Sequence, residues 1–223
     1  MIAQVDRGIN LVNQQNSDSP IQKKWFDSLV HYRDLTLRII DQTERRIIHK
    51  EKVPSSEKIV SLFEDHTDII VKGFRDTQYG HKINLSSEKN GFITYLSIED
   101  GNPSDKDLFL PVLEFHQSIL QTMPDADGGY ASRKNVAEGR DIGVKRVVFY
   151  KPVGVSLQEM GAKQKTFDKL RNFRAGVEGN ISESKRALGA GKAKWKGLDG
   201  FKTFVWSAVL SYNLVHLARL RSS

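Results

Sequence analysis

Residues 79–98 read YGHKINLSSEKNGFITYLSI, and this stretch decides the fold. Tyr79–Leu85 and Phe92–Ile98 alternate apolar with polar residues and are rich in β-branched and aromatic side chains. Glu88-Lys89-Asn90-Gly91 between them supplies turn chemistry, so the pattern predicts an antiparallel β-hairpin. Downstream, Gly101-Asn102-Pro103 stops the second strand. A helix is expected over Asp105–Leu120, with Leu108, Leu110, Val112, Leu113 and Leu120 as its apolar side. Asp127-Gly128-Gly129-Tyr130 reads as a turn, Ser132–Ile142 as a helix and Lys145–Tyr150 (KRVVFY) as a compact buried strand. A long helix over Phe167–Leu188, a Gly- and Lys-rich connection and a mostly apolar helix over Phe201–Arg219 follow.

Upstream of the hairpin, Lys58–Phe63 and Ile69–Val71 read as short strands. Lys52-Val53-Pro54-Ser55-Ser56 reads as a linker. Gln22–His49 has apolar residues at spacings of three, four and seven, which is an amphipathic helix with a break expected near Asp34–Thr36. Ser19 is placed to cap that helix, with Pro20 at its first position. Residues 1–18 are polar and expected as loop or frayed helix. The order of elements describes a layered α/β or α+β domain.

Composition narrows the function classes. The 223 residues carry 34 Lys+Arg against 27 Asp+Glu, a net charge of +7. That excess suits a polyanionic partner such as nucleic acid, and it equally suits a basic, soluble surface. From Lys145 onward the cations cluster as KR, KQK, RNFR, KR, KAKWK and RLR, interleaved with Trp195, Phe201 and Trp206. Those aromatics are expected in the core more than on phosphate. The absence of cysteine excludes disulfides and thiolate metal sites and fits a cytoplasmic setting. No apolar run reaches the roughly 18 residues that span a bilayer, and the N-terminus lacks signal-peptide character. P-loop, dinucleotide and nucleophile-elbow motifs are missing.

Two segments carry possible chemistry. On a helix, RAGVEGNISESK would set Arg174, Glu178 and Lys185 on one face. In DADGGYAS, the glycines after Asp127 leave room for a phosphate near the backbone. Carboxylates converging from separate elements are what hard, oxygen-seeking Mg²⁺ requires. The plainer readings are a common turn and a solvated charged face. His81, in an alternating strand with no second ligand at metal spacing, reads as structural.

Many spaced blocks resemble the DDE transposases of bacterial insertion sequences, in the ISNCY-type group. They are EKIVSLFEDHTDIIVKGFRDTQYGHKINL, GNPSD, DADGGYAS, KLRNFRAGVEGNISESKRALG and KWKGLDGFKTFVWSAVLSYNL. The resemblance implies an α/β fold, an incomplete RNase H-like core with a mixed sheet flanked by helices over residues 57–223. Residues 1–56 would be a helical segment and linker. It implies Mg²⁺- or Mn²⁺-dependent cleavage and strand transfer on transposon-end DNA, with a homodimer allowed and no membrane. By this match Asp127 looks like the second catalytic aspartate and Glu178 like the glutamate, both metal ligands. Arg174 and Lys185 look like phosphate contacts. The tyrosine expected at the head of the motif falls on Arg171. Nothing matches the first aspartate: Asp6 and Asp18 sit in polar sequence expected as loop, and Asp68 lies in a block without a catalytic position. Pro124 disfavours a strand leading into Asp127. The expectation is therefore a truncated, inactive transposase remnant. Its alternatives are a domesticated DNA-binding fragment and a stand-alone metal-dependent nuclease.

Overall fold

The computed structural model describes residues 2–14, 19–71, 77–88, 90–120, 130–144, 147–149, 154–169, 172, 179, 182 and 192–222. They fall into two compact units, Met1–Gly80 and His81–Ser223.

The first unit is built on two helices, α1 (Ile2–Gln14) and α2 (Pro20–Ile47). Of the two readings of the opening, loop or frayed helix, the helix is the one formed, over Ile2–Gln14. Ile2, Val5, Asp6 and Ile9 form a half-buried stripe at helical spacing, and Asp6 pairs with Arg33 of α2. Packing of this kind supplies the helicity that a short Asn/Gln-rich peptide lacks by itself. Ser19 and Pro20 start α2 as expected, though the serine side chain makes no capping bond. The expected break at Asp34–Thr36 is absent, because Leu35 is buried there and holds the helix through that turn.

Beyond α2, Arg45 binds Glu51 and Glu57, each at 2.7 Å, and folds the chain back. Residues 58–63 were expected as a strand and form none. The N–H of Ile59 donates to Gln42 Oε1 and its carbonyl accepts from Gln42 Nε2, both at 2.9 Å. One side-chain amide thus replaces the strand partner. Strands β1 (Asp68–Ile70) and β2 (Gln78–Gly80) then pair antiparallel, Ile69 opposite Tyr79.

The second unit opens with the hairpin. Strands β3 (Ile83–Ser87) and β4 (Ile93–Ile98) are antiparallel, with Leu85 opposite Leu96 and Asn84 opposite Ser97. Gly91, at φ 88°, takes the left-handed position in the connecting turn. Its N–H donates to the Glu88 carbonyl at 2.9 Å. The stretch 79–85 is not one strand: β2 ends at Gly80 and β3 begins at Ile83. Among the described residues the sheets are two antiparallel pairs.

The helix expected over Asp105–Leu120 is a composite. A 3₁₀ turn (Asp105–Leu108) leads into α3 (Phe109–Phe115), which passes into a π turn (His116–Leu120). Pro111 falls in the first turn of α3, where its missing N–H leaves no bond unmade. Helix α4 (Arg133–Asp141) is capped by Ser132, whose hydroxyl accepts from the Asn135 N–H at 3.0 Å. It ends on Gly143 at φ 96°, with Gly143 N–H bonded to Arg140 O and Val144 N–H to Gly139 O. These two bonds form a Schellman motif.

The core gathers around Val147, Val148 and Phe149, three consecutive buried residues, with Phe149 fully enclosed. Leu113, Val136, Met160 and Phe167 pack on them. Residues 164–169 are helical (α5), and α6 (Gly197–Ser222) closes the chain. Helix α6 buries Val205, Ala208 and Tyr212 and exposes Trp206, Leu210 and Leu214. Trp195 and Trp206, expected in the core, are more than half exposed.

Candidate functional site

Asp127, Glu178, Arg174 and Lys185 lie outside the described residues, as do Asp18, Pro124 and Arg171. The segments that flank them are described. Residues 164–169 and, beyond them, Asn172, Gly179 and Ser182 have helical backbone. A Cβ at Gly179, next to Glu178, would meet nothing within 4 Å.

On the Asp127 side the description resumes at Tyr130, and this residue is held at both ends. Its hydroxyl donates to Asn84 Oδ1 of β3 at 2.7 Å. Its carbonyl accepts from Asn135 Nδ2 of α4 at 2.8 Å. The same amide group of Asn135 donates to Lys106 O at 2.9 Å, and Asn84 Nδ2 reaches Leu108 O at 3.4 Å. Asn84 and Asn135 are both buried. Buried amides are tolerated only when partnered, as these are. Sequence reasoning missed them: Asn84 occupies a polar position of an alternating strand, which reads as outward-facing.

Helix α4, which follows this anchor, is fixed along its length. A Cβ built on Gly139 would lie 2.6 Å from Val147 Cγ2, so glycine is what lets α4 approach the core. At the other end of the contact, Ser156 and Glu159 form a reciprocal capping box. The Ser156 N–H donates to Glu159 Oε2 at 2.7 Å, and the Glu159 N–H to Ser156 Oγ at 3.2 Å. Arg133 Nε adds a bond to Glu159 Oε1 at 2.9 Å, and Arg140 donates to the Glu159 carbonyl. The Ser156 backbone and hydroxyl, then Arg133, hold the Glu159 carboxyl down at about 2.

His81, expected within an alternating strand, lies between β2 and β3 and stacks at a tilt on Phe201, ring centroids 5.1 Å apart. His116 is buried, its Nε2 lies 2.6 Å from Ser86 Oγ, and desolvation lowers its pKa. No group of three His, Asp or Glu able to hold a metal occurs among the described residues. Lys192, Lys194, Lys196, Arg219 and Arg221 are exposed.

The transposase DDE domain model matches residues 35–214. The chain belongs to the insertion-sequence DDE transposases. The match runs from α2 to α6 and spans both compact units. No curated protein and no solved structure matches the chain significantly. Members of the transposase family act on DNA and generally use a divalent metal. Among the described residues no helix is long and apolar enough to cross a membrane.

Proposed function

We propose that this chain is the DNA-handling part of a DDE transposase whose carboxylate set is incomplete within its 223 residues. The observation that carries the reading is the transposase DDE domain match over residues 35–214. Residues 57–223 are read as an RNase H-like core and residues 1–56 as a helical segment and linker. The order of hairpin, helix, helix, buried run and helix among the described residues supports it. So does the burial of Val147, Val148 and Phe149, which form no strand among the described residues, although Lys145–Tyr150 was expected as one, but do make the centre of the core.

In this reading Asp127 and Glu178 would hold Mg²⁺ or Mn²⁺, which when bound activates the nucleophile and stabilises the leaving oxygen. Arg174 and Lys185 bind and orient the phosphate as fixed cations. The exposed cations of residues 192–221 hold the DNA backbone nearby, without reading sequence. No aspartate of the chain matches the first catalytic position, so one carboxylate of the set has to come from elsewhere. The chain alone binds DNA, in the cytoplasm, and does not cut it.

Two measurements test this. Gel-shift competition should show duplex binding that random DNA competes for equally and that falls steeply with salt. Supercoiled plasmid incubated with the chain and Mg²⁺ or Mn²⁺ should remain unnicked. Absence of binding at low salt removes the DNA-handling reading. Metal-dependent nicking that Asp127→Ala abolishes would make the chain a nuclease in its own right.

A further inference from the structure

We infer that Trp195, set among Lys192, Lys194 and Lys196, is a stacking platform for an unpaired nucleotide of a DNA strand. The inference rests on the DNA-handling reading and deepens it, because it states which form of DNA the ring takes. A large aromatic ring is among the side chains that folding gains most by burying, yet Trp195 keeps 52% of its surface in solvent. Its position is nevertheless set. The ring meets that of Phe204 on α6 edge-on, with 6.2 Å between centroids and 65° between planes. Its backbone lies against the first turn of α6, where a Cβ built on Gly200 would stand 3.3 Å from Trp195 Cβ and 3.4 Å from its carbonyl carbon. Gly197, at φ 75°, takes the left-handed conformation where the chain enters α6. A ring seated on a helix and still half exposed is open to a flat ligand.

Charge decides what kind of flat ligand. Lys192, Lys194 and Lys196 are exposed, and the nearest carboxylate in sequence is Asp199, beyond them in α6. Trp206 is exposed to the same degree, but exposed Leu210 and Leu214 follow it along α6, which is an apolar setting rather than a cationic one. A nucleotide presents an apolar, planar base and, one sugar away, an anionic phosphate. An aromatic ring among ammonium groups matches both halves of it. In a duplex both faces of an internal base are covered by its neighbours, so the ring can engage only a base that has left the stack. Lysines by themselves bind phosphate in either form of DNA and would not tell the two apart. Trp195 is therefore the residue that gives this basic segment a preference for single strands.

The test is fluorescence anisotropy on the full chain with three labelled probes: an oligothymidylate, an abasic strand of the same length and a blunt duplex. Wild type should bind oligothymidylate roughly five- to hundredfold more tightly than the abasic strand, the range that stacking of one base on an aromatic ring supplies. Trp195→Ala should lose that margin and keep wild-type affinity for the abasic strand and the duplex. Trp195→Phe, which retains a ring, should keep most of the margin. Equal wild-type affinity for oligothymidylate and the abasic strand overturns the inference without appeal to any variant. So does an undiminished margin in Trp195→Ala, and so does a comparable loss on all three probes, which is what a ring that merely supports the fold would give. These outcomes leave the DNA-handling reading standing as long as wild type binds duplex. A wild-type chain that binds none of the probes at low salt removes that reading and this inference together.

Discussion

The two units of this transposase chain are assembled by different means. In the first, 80 residues bury only Leu35, Val53 and Ile59 among the described hydrophobics, and partly exposed ion pairs do much of the joining. Asp6–Arg33 links α1 to α2, and Arg45 gathers Glu51 and Glu57. In the second, one cluster of buried residues centred on Val147–Phe149 organises everything packed around it. Burial is proportional to apolar area removed from water, whereas exposed ion pairs yield little each and are screened by salt. A unit built on the former should melt as a block, and one built on the latter should loosen piecemeal.

The largest effect should separate them. Phe149→Ala, at a fully enclosed ring, should cost about 3–5 kcal/mol in urea unfolding of the second unit. Trp25→Ala on the exposed side of α2 should stay within about 0.5 kcal/mol. Equal losses for the two would break the comparison. Next in size, Gly139→Ala drives a methyl to 2.6 Å from Val147 Cγ2 and should cost about 1–3 kcal/mol. The double variant Gly139→Ala, Val147→Ala should recover part of that loss, since it removes the colliding atom; further destabilisation would show that the contact is not the cause.

The two units share one device. In the first, Gln42 meets both backbone groups of Ile59 at 2.9 Å. In the second, Asn213 of α6 meets both backbone groups of Ile93 of β4, at 2.9 and 2.8 Å. Replacing either amide by alanine leaves a partly buried N–H and C=O to find water and should cost about 1–2 kcal/mol. Thermal melts of Gln42→Ala and Asn213→Ala should be of similar size if the clamp acts locally. A much greater loss for Asn213→Ala would mean that it governs the seating of α6 on β4.

The smallest effect concerns acid. The Glu159 carboxyl is held at about 2, below its ordinary 4.5, so it contributes stability that is complete above about pH 4.5 and is lost as pH falls toward 2. Its exposure to solvent keeps that contribution small. Acid titration of wild type against Ser156→Ala should show the difference narrowing as pH drops through that window. A difference independent of pH would mean that the capping box works without its charge.

How much was legible follows from range. The hairpin could be read because its turn residues and alternation lie within 20 positions, and the same holds for the helix read over Ser132–Ile142. Residues 58–63 misled because their pattern is strand-like while their partner, Gln42, sits 17 residues away on a helix. The opening was left between loop and frayed helix because its support is Arg33, 27 residues from Asp6. For the candidate site, Asp127 and Glu178 are proposed only through resemblance, since a carboxylate near glycines or cations has plainer readings and both lie outside the described residues. Asn84 and Asn135 were illegible, because burial of a polar residue in an alternating strand or a capped helix leaves no mark on the pattern.

The Asn213 clamp also rests on the identity of a single side-chain atom. Asparagine deamidates in water, and the resulting aspartate has almost the same shape. At this position, however, the lost NH₂ is the group that donates to the Ile93 carbonyl, so the product would present an oxygen to an oxygen. One hydrolysed amide would keep the bond that Oδ1 accepts from the Ile93 N–H and set the other half of the clamp against itself, without altering a single carbon of the packing around it.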